Sequence, residues 1–101
     1  MNPGTSENIQ EKTRAKTKEP EMYRVLLHND DYTTMEFVVE VLVKVFRKTV
    51  MDATKIMLTV HKHGRGNVGV FTYDIARTKI QQVRRMAKER EYPLKCTMEK
   101  A

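Results

Sequence analysis

The sequence predicts an α+β domain: a small three-stranded, mostly antiparallel sheet packed against three helices, in the order β-α-α-β-α-β. Three observations lead there. The Thr-led signatures "TTME" and "TVMD" each open a segment whose apolar residues recur at helical spacing. A third helical pattern follows Thr72, with Asp74 in its first turn. Three short runs, "MYRVLLH", "NVGVFT" and "LKCTMEK", read as strands before, between and after these helices.

Residues 1–21 hold few apolar side chains and show no periodicity, with four Lys/Arg balanced by four Glu. Such a segment cannot bury enough surface to offset its ordering entropy, so a disordered N-terminal extension is expected, followed by one core domain over residues 22–101. The first strand starts after Pro20 and runs to His28. In "TTME", Thr33 and Glu36 form a capping box, with Tyr32 and Phe37 as a hydrophobic staple across it. The first helix then runs from Thr34 to about Arg47. Glu40 and Lys44 make a favourable i,i+4 pair on its polar side. Its apolar positions cover more than the roughly 100° stripe of a simple surface helix, so this helix should touch more than one neighbour.

Thr49 and Asp52 start the second helix, which continues through Ile56, Met57 and Val60 to His61 before Gly64 and Gly66 stop it. In the third helix, Ala76, Ile80, Val83 and Ala87 share the buried face, and Pro93 ends it. "LKCTMEK" alternates as the last strand.

A chain of 101 residues supports one domain with one modest core. No apolar run approaches the ~18 residues of a membrane span, and the N-terminus lacks the apolar region of a secretory signal. A single cysteine, Cys96, excludes an internal disulfide and fits a reducing, cytoplasmic setting. The net charge of +6 comes from scattered Lys and Arg rather than a dense block, and aromatics do not alternate with them. A small basic nucleic-acid-binding domain is therefore the alternative function, not the leading one.

Catalysis finds little support. Adjacent Asp30 and Asp31 diverge at a strand exit, and His61 and His63 lie about 200° apart on a helix. There is no phosphate loop, nucleophile elbow or metal-ligand spacing, so no cofactor or metal is expected. The capping motif leaves Asn29, Asp30 and Met35 without a task. Asn29 and Asp30, with a neutral imidazole, could grip a cation beside an apolar hollow lined by Met35, Met57 and Val60. Equally, the methionines could be core and Asp30 solvated.

"NDDYTTMEFV", then "MLTVHKHG", "GVFTYDIARTK" and a terminal "EYPLKCTMEKA" resemble the bacterial ClpS family over residues 22–101, with the motifs in order. That resemblance implies a non-enzymatic, monomeric adaptor. Such adaptors bind substrates with N-terminal Leu, Phe, Tyr or Trp (N-degrons) and hand them to the ClpA unfoldase, which works with the ClpP protease. It implies Asn29, Asp30 and His61 as the grip on the degron's α-amine. It implies Thr33, Met35, Val38, Met57, Val60 and Leu94 as the side-chain pocket, with Met35 as the gate that excludes β-branched residues. It implies Asp74 and Lys79 as part of the surface that docks the unfoldase. The chain departs from the family pattern at Thr34, often Pro, at His28, usually apolar, and at Arg77, often acidic.

Overall fold

The computed structural model describes residues 19–101; most of the expected N-terminal extension, residues 1–18, lies outside the described residues. The element order is β1 (Met22–His28), α1 (Met35–Lys44), α2 (Val50–His63), β2 (Arg65–Thr72), α3 (Tyr73–Glu89) and β3 (Lys95–Lys100). This is the α+β arrangement the sequence predicts, and the sheet is antiparallel throughout, with β1 in the centre of the order β2-β1-β3.

Alternation along β1 sets which face is covered. Val25 and Leu27 are fully buried and join one core cluster with Val68 and Cys96 of the neighbouring strands and with Val60, Val83 and Ala87 of the helices. Arg24, Leu26 and His28 point the other way by the two-residue period of a strand. A register shift between Val25 and Leu26 makes Val68 an extra residue in β2 and turns its side chain into the core. Helix α2 lies on β2, α3 crosses all three strands, and α1 packs on α2.

The caps show where local sequence decides. Thr49 caps α2, its Oγ1 accepting the Asp52 amide at 3.1 Å. Gly64 ends α2 in the left-handed region at φ 88°, which only glycine adopts freely. Gly66 is needed for a different reason: a Cβ there would meet Val60 Cγ2 at 2.8 Å, so β2 and α2 could not pack this closely with any other residue. Thr72 occupies the cap position of α3, although its hydroxyl makes no cap bond.

Three expectations about element ends are corrected. The cap of α1 is Thr34, not Thr33; the Thr34 Oγ1 accepts the Phe37 amide at 3.2 Å, and Met35 opens the helix. This shift dissolves the Tyr32–Phe37 staple: Tyr32 is 76% exposed, while Phe37 packs against Tyr92 with ring centroids 4.9 Å apart and planes tilted by 50°. Helix α1 stops at Lys44 rather than near Arg47, because Arg47 turns left-handed (φ 56°) and the Lys48 amide returns to the Leu42 carbonyl at 3.1 Å. Helix α3 likewise ends before Pro93 acts. Glu91 is left-handed at φ 58°, the Tyr92 amide bonds the Ala87 carbonyl, and the Glu91 amide bonds the Lys88 carbonyl. That pair of bonds is a Schellman closure built without glycine.

On the polar side of α1, Glu40 pairs with Lys44 at 3.7 Å as expected and also with Arg90 at 3.2 Å. These exposed pairs contribute little individually, about 0–1 kcal/mol. No helix among the described residues is long and apolar enough to cross a membrane.

Candidate functional site

A hollow of about 520 Å³ opens where β1 leaves the sheet and meets the start of α1 and the end of α2. One backbone bond sets its shape. The Asn29 amide donates to the Gly64 carbonyl at 2.8 Å, tying the exit of β1 to the cap of α2. Asn29 and Asp30 are thereby held beside His61, and all three line the hollow.

Asp30 organises the turn that follows. Its Oδ1 accepts the Tyr32 amide at 2.8 Å and the Thr33 amide at 2.7 Å, and its Oδ2 accepts the Thr33 hydroxyl at 2.7 Å. Burial alone would push the carboxyl up, but the bonds from Thr33 and Tyr32 outweigh it and hold Asp30 below its ordinary range. Asp30 is therefore a carboxylate at neutral pH. A carboxylate has about four acceptor sites, so three donors leave room for one more, on Oδ2.

The floor of the hollow is apolar. Val38 is 7% exposed, Met57 9% and Val60 2%. Met35, at the first residue of α1, is 42% exposed and stands at the rim rather than in the core. The hollow thus has a polar end with a fixed negative charge and an apolar end, within the ~300–1,000 Å³ range typical of small-ligand sites. Among the described residues no group of three or more His, Cys, Asp or Glu could hold a metal ion.

The chain matches the family model described as "ATP-dependent Clp protease adaptor protein ClpS" over residues 18–97. The chain belongs to the ClpS family. The ClpS adapter protein of Acetivibrio thermocellus is 59% identical over 91 residues, covering 90% of this chain and 92% of that one. That of Maricaulis maris is 60% identical over 89 residues, covering 88% of this chain and 82% of that one. Among solved structures, Agrobacterium tumefaciens ClpS2 bound to L-phenylalaninamide superposes with a TM-score of 0.80 at 41% identity, covering 82% of this chain and all of that one. ClpS proteins are adaptors of the Clp protease, and the fold described above is shared with that solved relative.

The structure brings together eight of the residues that the ClpS resemblance singles out: Asn29, Asp30, His61, Thr33, Met35, Val38, Met57 and Val60. Leu94 does not line this hollow; it is buried and borders a separate one between α3 and β3. Asp31, Tyr32, Thr34 and Glu36 also line the site. None of the four is among the site residues expected from the sequence; the signal that points to them is the unbroken run from Asn29 to Glu36. Thr33 was misassigned for a related reason: a Thr three residues after an Asp is also the pattern of a side-chain-closed turn, and here the turn claims it.

Asp74 and Lys79 lie together in a shallow hollow along α3 with Ile75, Thr78 and Gln82. The Lys79 ammonium is already engaged. It donates to the Val45 carbonyl at 2.8 Å and lies 5.8 Å and 5.5 Å from the ring centres of Phe46 and Phe71. It thus satisfies a carbonyl at the end of α1. Exposed Tyr73 and Ile75 flank Asp74 on the same helix.

Proposed function

We propose that this protein is an adaptor that binds substrates bearing N-terminal Leu, Phe, Tyr or Trp and delivers them to a ClpA-type unfoldase for degradation with ClpP. One observation carries the reading: a single hollow offers a charged Asp30 with spare acceptor capacity at one end and a floor of Val38, Met57 and Val60 at the other. An N-terminal residue has matching parts, an ammonium with three donors and a side chain leaving the same carbon. Asn29 and His61 supply the further acceptors, and Thr33, Met35, Val38, Met57 and Val60 surround the side chain. The ligand of the Agrobacterium relative has this chemistry, a free α-amine and an aromatic ring, with an amide where the next peptide bond would be.

The magnitudes suffice. Charge-assisted hydrogen bonds contribute about 1.5–3 kcal/mol each, and burying a Leu or Phe side chain contributes about 1.5–3 kcal/mol. After the entropy of association, micromolar affinity of about −8 kcal/mol is expected. Asp74, with the exposed Tyr73 and Ile75, is the proposed unfoldase-docking surface, and Lys79 steadies it from beneath. The protein acts in the cytoplasm as a monomer in this reading.

The deciding experiment compares a Phe-starting peptide with its N-acetylated twin by calorimetric titration. Acetylation removes the ammonium and keeps the ring, so binding should fall by at least about a hundredfold, two charge-assisted bonds' worth. Equal affinity for the two peptides would overturn the proposal.

A further inference from the structure

We propose that the hollow between α3 and the free edge of β3 docks an extended acidic segment of a partner polypeptide, held by Arg84, Lys88 and Lys95. This hollow, about 540 Å³, shares no residue with the one at Asn29 and Asp30, so the inference stands apart from N-degron binding. Arg84 and Lys88 reach it from the last turns of α3, Lys95 and Thr97 from β3, and no carboxylate among the described residues lines it.

Among the described residues the charge there is uncompensated. The ion pairs among the described residues are Arg24–Glu99, Lys44–Glu40, Arg90–Glu40 and Lys100–Glu21, and none involves Arg84, Lys88 or Lys95. The positive surface continues across the sheet, where Arg65, His28 and Lys95 stand in register on the three strands, on the face turned from the core. Arg65 and Lys95 carry the charge of this row, one on each side of His28. Burial, then the charges of Lys95 and Arg65, lower the His28 pKa, and Arg84 offsets part of the rise that burial imposes on the Cys96 thiol.

The backbone beside this charge specifies the occupant. β3 pairs only with β1, so its outer edge keeps unpaired amides and carbonyls among the described residues. Lysines on an edge strand discourage uncontrolled strand addition, which would account for Lys95 alone. It does not account for Arg84 and Lys88, which come from a helix and face the same hollow. An extended peptide satisfies both features at once: its main chain adds to the edge, acidic side chains on its helix-facing side meet Arg84 and Lys88, and one on its opposite side meets Lys95. A nucleic acid cannot continue the alternating amide and carbonyl ladder of a strand edge, and the hollow has one aromatic ring, Tyr92, rather than a stacking platform.

The test uses the full-length protein and an N-acetylated peptide of about eight residues, the length of one strand, in which pairs of Glu alternate with pairs of Thr so that both faces carry Glu. Acetylation keeps it out of the Asn29–Asp30 site. In a nuclear magnetic resonance titration the expected shifts fall on Lys95–Thr97 and on the Arg84–Lys88 turn. The R84E/K88E/K95E variant should weaken binding at least about tenfold while leaving affinity for a Phe-starting peptide unchanged. A copy of the acidic peptide N-methylated at alternate residues cannot add to the strand and should lose most of its affinity. Should the triple variant fail to fold, K95Q and K88Q singly, each expected to weaken binding, serve instead. The proposal is overturned by absence of binding, by shifts centred on Asn29–Met35, by unchanged affinity in the charge variants, or by undiminished binding of the N-methylated peptide. It is overturned as well if duplex DNA or RNA, and not the peptide, binds through these cations.

Discussion

Thr33 donates both its backbone amide and its hydroxyl to the two oxygens of one carboxylate, that of Asp30, each at 2.7 Å. The adjacent Thr34, not Thr33, caps α1. Two neighbouring threonines thus divide the orienting of the Asp30 carboxylate from the start of the helix that carries Met35 and Val38.

That division makes the two positions separable by mutation. Thr33→Val keeps the shape and removes the hydroxyl that steers Asp30 Oδ2, so affinity for a Phe-starting peptide should fall about fivefold, the worth of one ordinary hydrogen bond. Thr34→Ala should instead cost about 1 kcal/mol of stability through the lost cap, with affinity within about twofold of the parent. Urea unfolding and peptide titration of both variants check this. The opposite pattern would place the cap back on Thr33.

Met35 stands half-exposed at the rim of the hollow, above a floor of buried side chains. A core methionine truncated to alanine would cost about 2–5 kcal/mol, whereas a rim methionine should cost well under half of that. Met35→Ala should therefore fold normally and widen the entrance, so that Ile- and Val-starting peptides gain affinity while Leu-starting ones keep theirs. Unchanged discrimination among the three peptides would remove Met35 from the specificity of the site.

Much of this site was legible because its residues are consecutive. Asn29 to Glu36 form one wall, and the opposite wall is a helix face whose spacing of Met57, Val60 and His61 is periodic. The buried stripe Ala76, Ile80, Val83 and Ala87 was legible in the same way, as was the stop at Gly64, where the required backbone conformation selects the residue type. Other features leave no such trace. Arg47 and Glu91 take left-handed turns without being glycine, so the ends of α1 and α3 were misplaced by a few residues. Choosing between Thr33 and Thr34 required knowing what Asp30 does with its oxygens. The contact of Lys79 with Val45 spans distant parts of the chain, and so does the seat of Leu94 beside α3; neither follows from spacing.

His28, which has no apolar partner pattern in the sequence, is bonded through Nε2 to Thr97 Oγ1 at 2.7 Å. Burial, then the charges of Lys95 and Arg65, push its imidazolium below the ordinary range. The unfolded chain therefore binds this proton more readily than the folded one. The sign follows from linkage: the full stability is present above about pH 6.5, the unfolded value, and declines as the pH falls from there toward the folded value. His28→Val has no proton to take up, so the difference in unfolding free energy between parent and variant should change between pH 8 and pH 5, against the parent at the acid end. His61 and His63 are present in both proteins and cancel. A difference that stays constant with pH would show that His28 titrates alike in both states.

Cys96 is buried on the covered face of β3, 1% exposed. Burial pushes its thiol up to about 12, and the nearby Arg84 guanidinium offsets only part of this. The thiolate is the reactive form, so at pH 8 the folded protein should present almost none, and the little it presents has no path to reagent. Labelling with a chromogenic disulfide reagent should be complete within seconds in concentrated urea. In native buffer it should proceed only at the rate set by transient opening of β3. Cys96→Ser should leave the fold intact but destabilise it, because a hydroxyl among apolar side chains lacks an assured partner and costs about 1–3 kcal/mol. Native labelling as fast as that of a free thiol would mean that β3 does not seal this face of the core. The edge proposed to receive an acidic segment would then be a frayed strand rather than a template.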